Sequence, residues 1–117
     1  MVITLNLVHP TQTSPSQSWD FQDQDVIRIG RSPDNHVVLY SAVVSRHHLE
    51  LHRIGCNWKI VNLGTNGTYV NDSPIIQSPL IDGMILRLAR SGPQIQIKKK
   101  AREFENVRKH REGLLAG

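Results

Sequence analysis

The chain is poor in cysteine and in aromatic residues, and each shortage excludes something. Cys56 is the only cysteine among 117 residues. One thiol cannot close an internal disulfide, so a reducing, cytoplasmic setting is expected. Nothing beside Cys56 supplies the cationic surroundings that activate a thiolate, so it reads as a small residue at a turn. Two Trp, two Tyr and two Phe are too few for the stacking platform of a single-strand nucleic-acid binder. No apolar run approaches the roughly 18–20 residues that span a bilayer, and no membrane partner is expected. The opening stretch, Met1 to Val8, has no basic segment ahead of its apolar residues, which argues against a secretory leader.

Two catalytic signatures are also missing: a Gly-x-Ser-x-Gly elbow and a Walker-type phosphate loop. Ser45 lies near His47 and His48, as a nucleophile lies near a base, but no acidic residue is placed to orient either ring. The protein is therefore not expected to be an enzyme. The histidines make a poor metal site. His47 and His48 are adjacent and, on a strand, point to opposite faces. His48 and His52 would stand roughly 13 Å apart at about 3.3 Å per residue. No second cysteine or carboxylate pair assists, so neither metal nor cofactor is expected.

Acidic residues are scarce in particular places. The net charge is +4, but residues 1–97 balance seven cations against seven anions. The excess lies in residues 98–117, where seven cations face Glu103, Glu105 and Glu112. The body thus lacks the basic face of a nucleic-acid-binding domain. Apolar content of 38% and charged content of 21% fit one soluble globular domain with a real core.

What is present is a series of short segments in the strand period, separated by Pro, Gly, Asn and Asp. Val2 to Val8 opens the series. Ser18 to Gln22 and Val26 to Ile29 read as a hairpin across Asp23-Gln24-Asp25. His36 to Leu39, His48 to Arg53, Asn57 to Asn62, Thr68 to Val70, Met84 to Leu88 and Gln94 to Lys98 follow. Leu49 with Leu51, Trp58 with Ile60, and Met84 with Leu86 and Leu88 are expected to face inward. Asn71-Asp72 suits the positive φ of a tight hairpin turn. About ten short strands predict an all-β antiparallel sandwich or barrel over residues 1–97. Residues 98–117 form a basic tail rich in helix formers, read as a short helix or a linker that leads to an effector domain.

Three loop motifs stand at the ends of these strands, in order: Gly30-Arg31, then Ser45-Arg46-His47-His48, then Gly64-Thr65-Asn66-Gly67-Thr68. They offer two cations, hydroxyls, a carboxamide and turn-forming glycines, with no acidic residue inside any of them. Arginine presents a planar fork that matches phosphate oxygens, and glycine lets the backbone approach a ligand closely. The inventory suits a compact dianion carried on an extended peptide.

In order and spacing these motifs, with Asn62 to Asn71 and the later Leu80-Ile81-Asp82-Gly83-Met84-Ile85, strongly resemble a forkhead-associated (FHA) domain, the phosphothreonine-peptide-binding module. The resemblance covers about residues 1–97. It implies an eleven-stranded β-sandwich with its ligand loops at one end, and a threonine-phosphorylated protein as partner. It further implies that Arg31 and Ser45 contact the phosphate, that Arg46 borders it and Thr65 faces it, and that Asn66 holds the ligand backbone. Gly30 and Gly67 shape the loops, and His48 braces the loop that bears Ser45. Strand alternation alone places His47, not His48, in phase with Leu49 and Leu51, so the role implied for His48 requires the alternation to break where that strand begins. Val43 lies near a ligand residue on the C-terminal side of the phosphothreonine, and its apolar character points to an apolar or neutral preference there. The alternative reading is a phosphate-independent adaptor on the same fold, since fold does not fix function.

Overall fold

A computed structural model describes residues 1–9 and 16–100. Eleven strands follow one another: β1 Val2–Val8, β2 Gln17–Gln22, β3 Val26–Gly30, β4 Val37–Val38, β5 Leu49–Ile54, β6 Asn57–Asn62, β7 Thr68–Val70, β8 Ser73–Ile75, β9 Gln77–Pro79, β10 Ile85–Leu88 and β11 Gln94–Lys100. They form two sheets that pack as a sandwich. One holds six strands in the order β2-β1-β11-β10-β7-β8, the other five in the order β4-β3-β5-β6-β9. Every pairing is antiparallel except β3 with β4. The eleven-stranded all-β sandwich expected from the resemblance is the fold observed.

Alternation builds the core. Ile3, Leu5, Leu86, Leu88, Ile95 and Ile97 come from the six-stranded sheet, and Ile27, Ile29, Leu49, Leu51, Trp58 and Ile60 from the other; all are buried. Complete burial of each Leu or Ile contributes about 1.5–3 kcal/mol. The expected inward pairs at 49/51, 58/60 and 86/88 are all present, and Met84 packs half-buried against them.

Three expectations are corrected. Residues 23–25 do not close a hairpin: β2 pairs with β1, whereas β3 pairs with β4 and β5. The turn instead leads from one sheet to the other. Turn-forming residues signal a reversal of direction, but inward burial decides which sheet receives the next strand. Asp25 is held to β5, since Arg53 N–H donates to its carbonyl at 2.9 Å and Arg53 Nε to its carboxylate at 3.0 Å. Secondly, residues 73–79 form two further strands, β8 and β9, that no alternation announces, because three residues each are too few to display it. Thirdly, β11 continues to Lys100, two residues past the expected end, because Val2 and Ile3 of β1 pair with Lys100 and Lys99. The helix expected in the tail lies outside the described residues.

Asn71-Asp72 makes the tight turn expected of it, with φ of 49° and 65°, joining β7 to β8 across a two-residue loop.

Candidate functional site

Three loops converge at one end of the sandwich, and backbone hydrogen bonds fix their mutual positions. The loop after β3 lies against the loop before β5: Arg31 N–H donates to Ser45 O at 3.0 Å and Ser32 N–H to Arg46 O at 3.1 Å. Gly30 stands where the two backbones nearly touch. A Cβ there would lie 2.2 Å from Arg46 O, so no other residue fits without moving the loop that bears Ser45. Asn35 closes the same contact, its buried Nδ2 donating to Ser32 O at 2.7 Å and to Arg46 O at 2.8 Å.

His48 ties this pair of loops to the third. Its ring is fully buried. Nδ1 accepts the Ser45 N–H at 3.0 Å, so the ring proton sits on Nε2, which donates to Gly67 O at 2.8 Å. His48 O accepts the N–H groups of Leu63 and Gly64 at 2.8 and 2.9 Å. Gly64 lies flat against the ring; a Cβ there would come within 2.8 Å of it. β5 begins at Leu49, so His48 precedes the strand and is free of its alternation. That is why it, rather than the exposed His47, turns inward.

The third loop is framed from within. Asn62 Oδ1 accepts Thr68 Oγ1–H at 2.9 Å and Gly64 N–H at 3.3 Å, while its Nδ2 donates to Gly64 O at 3.1 Å. Gly67 has φ of +82°, a conformation that glycine adopts at little cost. Asn66 Nδ2 reaches across to Val43 O at 3.0 Å, which leaves Oδ1 uncommitted among the described residues.

The structure thus brings Arg31, Ser45, Arg46, Thr65 and Asn66 to one end, with Gly30, His48 and Gly67 beneath them and Val43 half-buried at the side. Asn35 and Ser32 join them as framing residues that the sequence does not mark, while Asn62 and Thr68, both inside the runs that carry the resemblance, frame the third loop in a role the resemblance does not imply. Short polar residues at strand ends are too common to stand out by type alone.

The charges are arranged selectively. Arg28 pairs with Glu50 at 3.3 Å, Arg87 with Asp72 at 2.9 Å, and Arg53 with Asp25. Arg31 and Arg46 have no carboxylate partner among the described residues. Arg31 Nε donates to Val44 O at 3.1 Å, which aims the guanidinium and leaves its terminal nitrogens available. Contrary to the expectation that no acidic residue orients either histidine, Asp34, thirteen positions away in the sequence, sits at the rim against His47, 3.0 Å away. Hydrogen bonds from Ser32 and His47 hold its carboxyl below the usual carboxylate range.

Burial pushes the His48 imidazole below its ordinary value of 6.5, partly opposed by its bond to Gly67 O. The folded state therefore favours the neutral ring. Its contribution to stability is complete above the ordinary value and declines as pH falls beneath it, because the unfolded polypeptide takes the proton first. We expect the His48 ring to stay neutral at pH values where a solvent-exposed imidazole is already charged, read by two-dimensional NMR of the ring. Thermal stability should fall over the same interval. A His48 ring that titrates like a free imidazole would contradict this geometry.

A β-sandwich of this strand order, with two unpaired arginines, a serine and an Asn-Gly turn gathered on loops braced by a buried histidine, defines a class of loop-end binding module. The FHA domain family model matches residues 27–89, and the chain belongs to that family. Among curated relatives, it is 38% identical over 69 residues to the oxoglutarate dehydrogenase inhibitor of Corynebacterium jeikeium, a match covering 58% of this chain and 48% of that one. It is 39% identical over 62 residues to the glycogen accumulation regulator GarA of Mycolicibacterium smegmatis, covering 52% and 39%. The matches thus take in about half or less of those proteins' length. Among solved structures, an FHA domain studied for phosphothreonine-dependent interactions superposes with a TM-score of 0.73 at 28% identity, covering 86% of this chain and 99% of the other. EmbR of Mycobacterium tuberculosis, solved with a low-affinity phosphopeptide, superposes at 0.72 with 30% identity, over 86% of this chain and 25% of EmbR.

Proposed function

We propose that this protein recognises phosphothreonine on partner proteins through the loop end of the sandwich, and acts by binding rather than by catalysis. The observation that carries this reading is the pair of arginines, Arg31 and Arg46, left without carboxylate partners on two loops that backbone hydrogen bonds hold together and His48 ties to the third. Arg31 and Ser45 take the phosphate, Arg46 borders it and Thr65 faces it. Asn66, anchored by Val43 O, offers its Oδ1 to a backbone N–H of the ligand. Val43 borders a ligand residue on the C-terminal side of the phosphothreonine. A phosphothreonine has about −1.5 to −2 charge at pH 7, and each charge-assisted hydrogen bond contributes roughly 1.5–3 kcal/mol. Set against the ordering of a flexible peptide, three or four such bonds give a modest, reversible affinity suited to signalling. The names of the curated relatives, an inhibitor and a regulator, support a regulatory role.

The experiment is calorimetric titration with a degenerate phosphothreonine peptide pool beside phosphoserine and unphosphorylated pools. Saturable binding to the phosphothreonine pool alone is expected, and loss of it in the Arg31→Ala, Ser45→Ala double variant. A partner protein that binds both forms equally would instead identify a phosphate-independent adaptor.

A further inference from the structure

A third arginine shares the unpaired condition of Arg31 and Arg46. Arg90 is exposed and makes no ion pair among the described residues; its guanidinium lies 5.7 Å from the centroid of the Tyr69 ring. The same ring receives Arg87 at 5.5 Å. Arg87 is neutralised by Asp72 at 2.9 Å, so this cluster keeps one uncompensated positive charge, on Arg90.

Arg90 sits in the loop between β10 and β11, and that loop is joined to the binding end. Ala89 N–H donates to Gly67 O at 2.8 Å, the same carbonyl that receives His48. A Cβ on Gly92 would lie 3.1 Å from Val43 Cγ2 and only 1.7 Å from Leu88 O, so the loop is packed tightly against Val43 and the end of β10. The Tyr69 ring in turn lies against Gly67, 3.3 Å from where a Cβ would stand. Asn66, Gly67, Tyr69 and Arg90 thus form one continuous surface leading away from the phosphate loops. Stacking on an aromatic face restrains a guanidinium while leaving its donors exposed.

We propose that Arg90, held on Tyr69, is a second anion-recognising position that reads a negative charge on the peptide beside the phosphothreonine. It therefore sets specificity for a flanking acidic residue or a second phosphate. This inference rests on the phosphopeptide reading above.

The test uses singly phosphorylated phosphothreonine peptides on a neutral background. Asp, Glu or a second phosphothreonine is placed in turn at each of the four positions on either side, and binding is followed by fluorescence anisotropy. In the wild-type protein one position is expected to favour the carboxylate over alanine by about fivefold, the scale of a single exposed ion pair. A second phosphate there should gain on the order of tenfold, given its larger charge. Arg90→Ala should bring the acidic-to-neutral ratio at that position to about one, Arg90→Glu should invert it, and Arg90→Lys should retain most of it. Arg53→Ala, which changes an arginine paired with Asp25, should leave the ratio as in the wild type. Carboxylate and phosphate arms that respond equally would assign the position to charge alone; a phosphate-only response would assign it to a second phosphorylated residue. Neutral phosphothreonine peptides that bind while no position prefers an anion, or a preference that survives Arg90→Ala, would overturn the inference and leave the primary site standing. Failure of every phosphothreonine peptide to bind would overturn the primary reading itself.

Discussion

Replacing Arg31 with alanine is expected to weaken phosphothreonine-peptide binding by about 2–5 kcal/mol, the scale on which truncating one member of a desolvated charge pair acts. At roughly tenfold per 1.4 kcal/mol, that is a weakening of about thirtyfold at the lower bound and several thousandfold at the upper. The fold should survive. Arg31 is exposed, its side chain makes one bond, from Nε to Val44 O, and the link between the loops runs through its backbone N–H to Ser45 O. The variant should therefore unfold at nearly the wild-type temperature while losing its ligand. Titration calorimetry with circular dichroism melts separates these outcomes, and a loss of less than about tenfold would place the phosphate elsewhere. Arg46→Ala should cost less, because Arg46 borders the phosphate rather than gripping it.

Replacing His48 with alanine is expected to act in the reverse order, on the fold first and on binding through it. The change removes a fully buried ring, strands the Ser45 N–H and takes one of two donors from the Gly67 carbonyl. An unsatisfied buried polar group costs about 1–3 kcal/mol, though Gly67 O keeps the Ala89 N–H. With the cavity left against Gly64, a total of about 3–5 kcal/mol is expected. Urea unfolding measures it directly. His48→Gln keeps some of the hydrogen-bonding capacity and should recover part of the loss. Peptide binding in His48→Ala should weaken even where the variant remains folded, because the amide of Ser45 is no longer held. Full stability in His48→Ala would show that the loops are not coupled through this ring.

These two residues also mark what is legible in the sequence. Arg31 is legible through its company: Gly30-Arg31 alone suggests phosphate only weakly, and it is the order and spacing of the three motifs that single it out. Strands that alternate over six or seven residues, such as Val2–Val8 and Asn57–Asn62, are legible because period-two burial is written directly into the side chains. His48 is not legible from alternation, which favours His47. Its inward turn depends on β5 beginning one residue later and on Gly64, sixteen positions away, leaving room for the ring. The framing roles of Asn35 and Asn62 are hidden for a related reason. Their roles are hydrogen bonds to groups of other loops, and an asparagine at a strand end looks the same with or without such partners. At residues 23–25 the turn chemistry does mark a turn, with Asp23 at φ of 58°, but a turn does not imply that the flanking strands pair. Arg90 is, in the sequence, one cation of seven in the body. Only the bond from the loop after β10 to Gly67 gives it a place beside the site.

The most direct test of the central claim is to follow the backbone amide resonances of the protein by NMR while a phosphothreonine peptide is added. Saturable shifts are predicted, concentrated at Arg31, Ser45, Arg46, Thr65 and Asn66 and extending to Ala89 and Arg90, with none from the unphosphorylated peptide. Shifts that concentrate instead on the outer face of the five-stranded sheet, around Arg28, Glu50 and His52, or that appear equally without the phosphate, would contradict it.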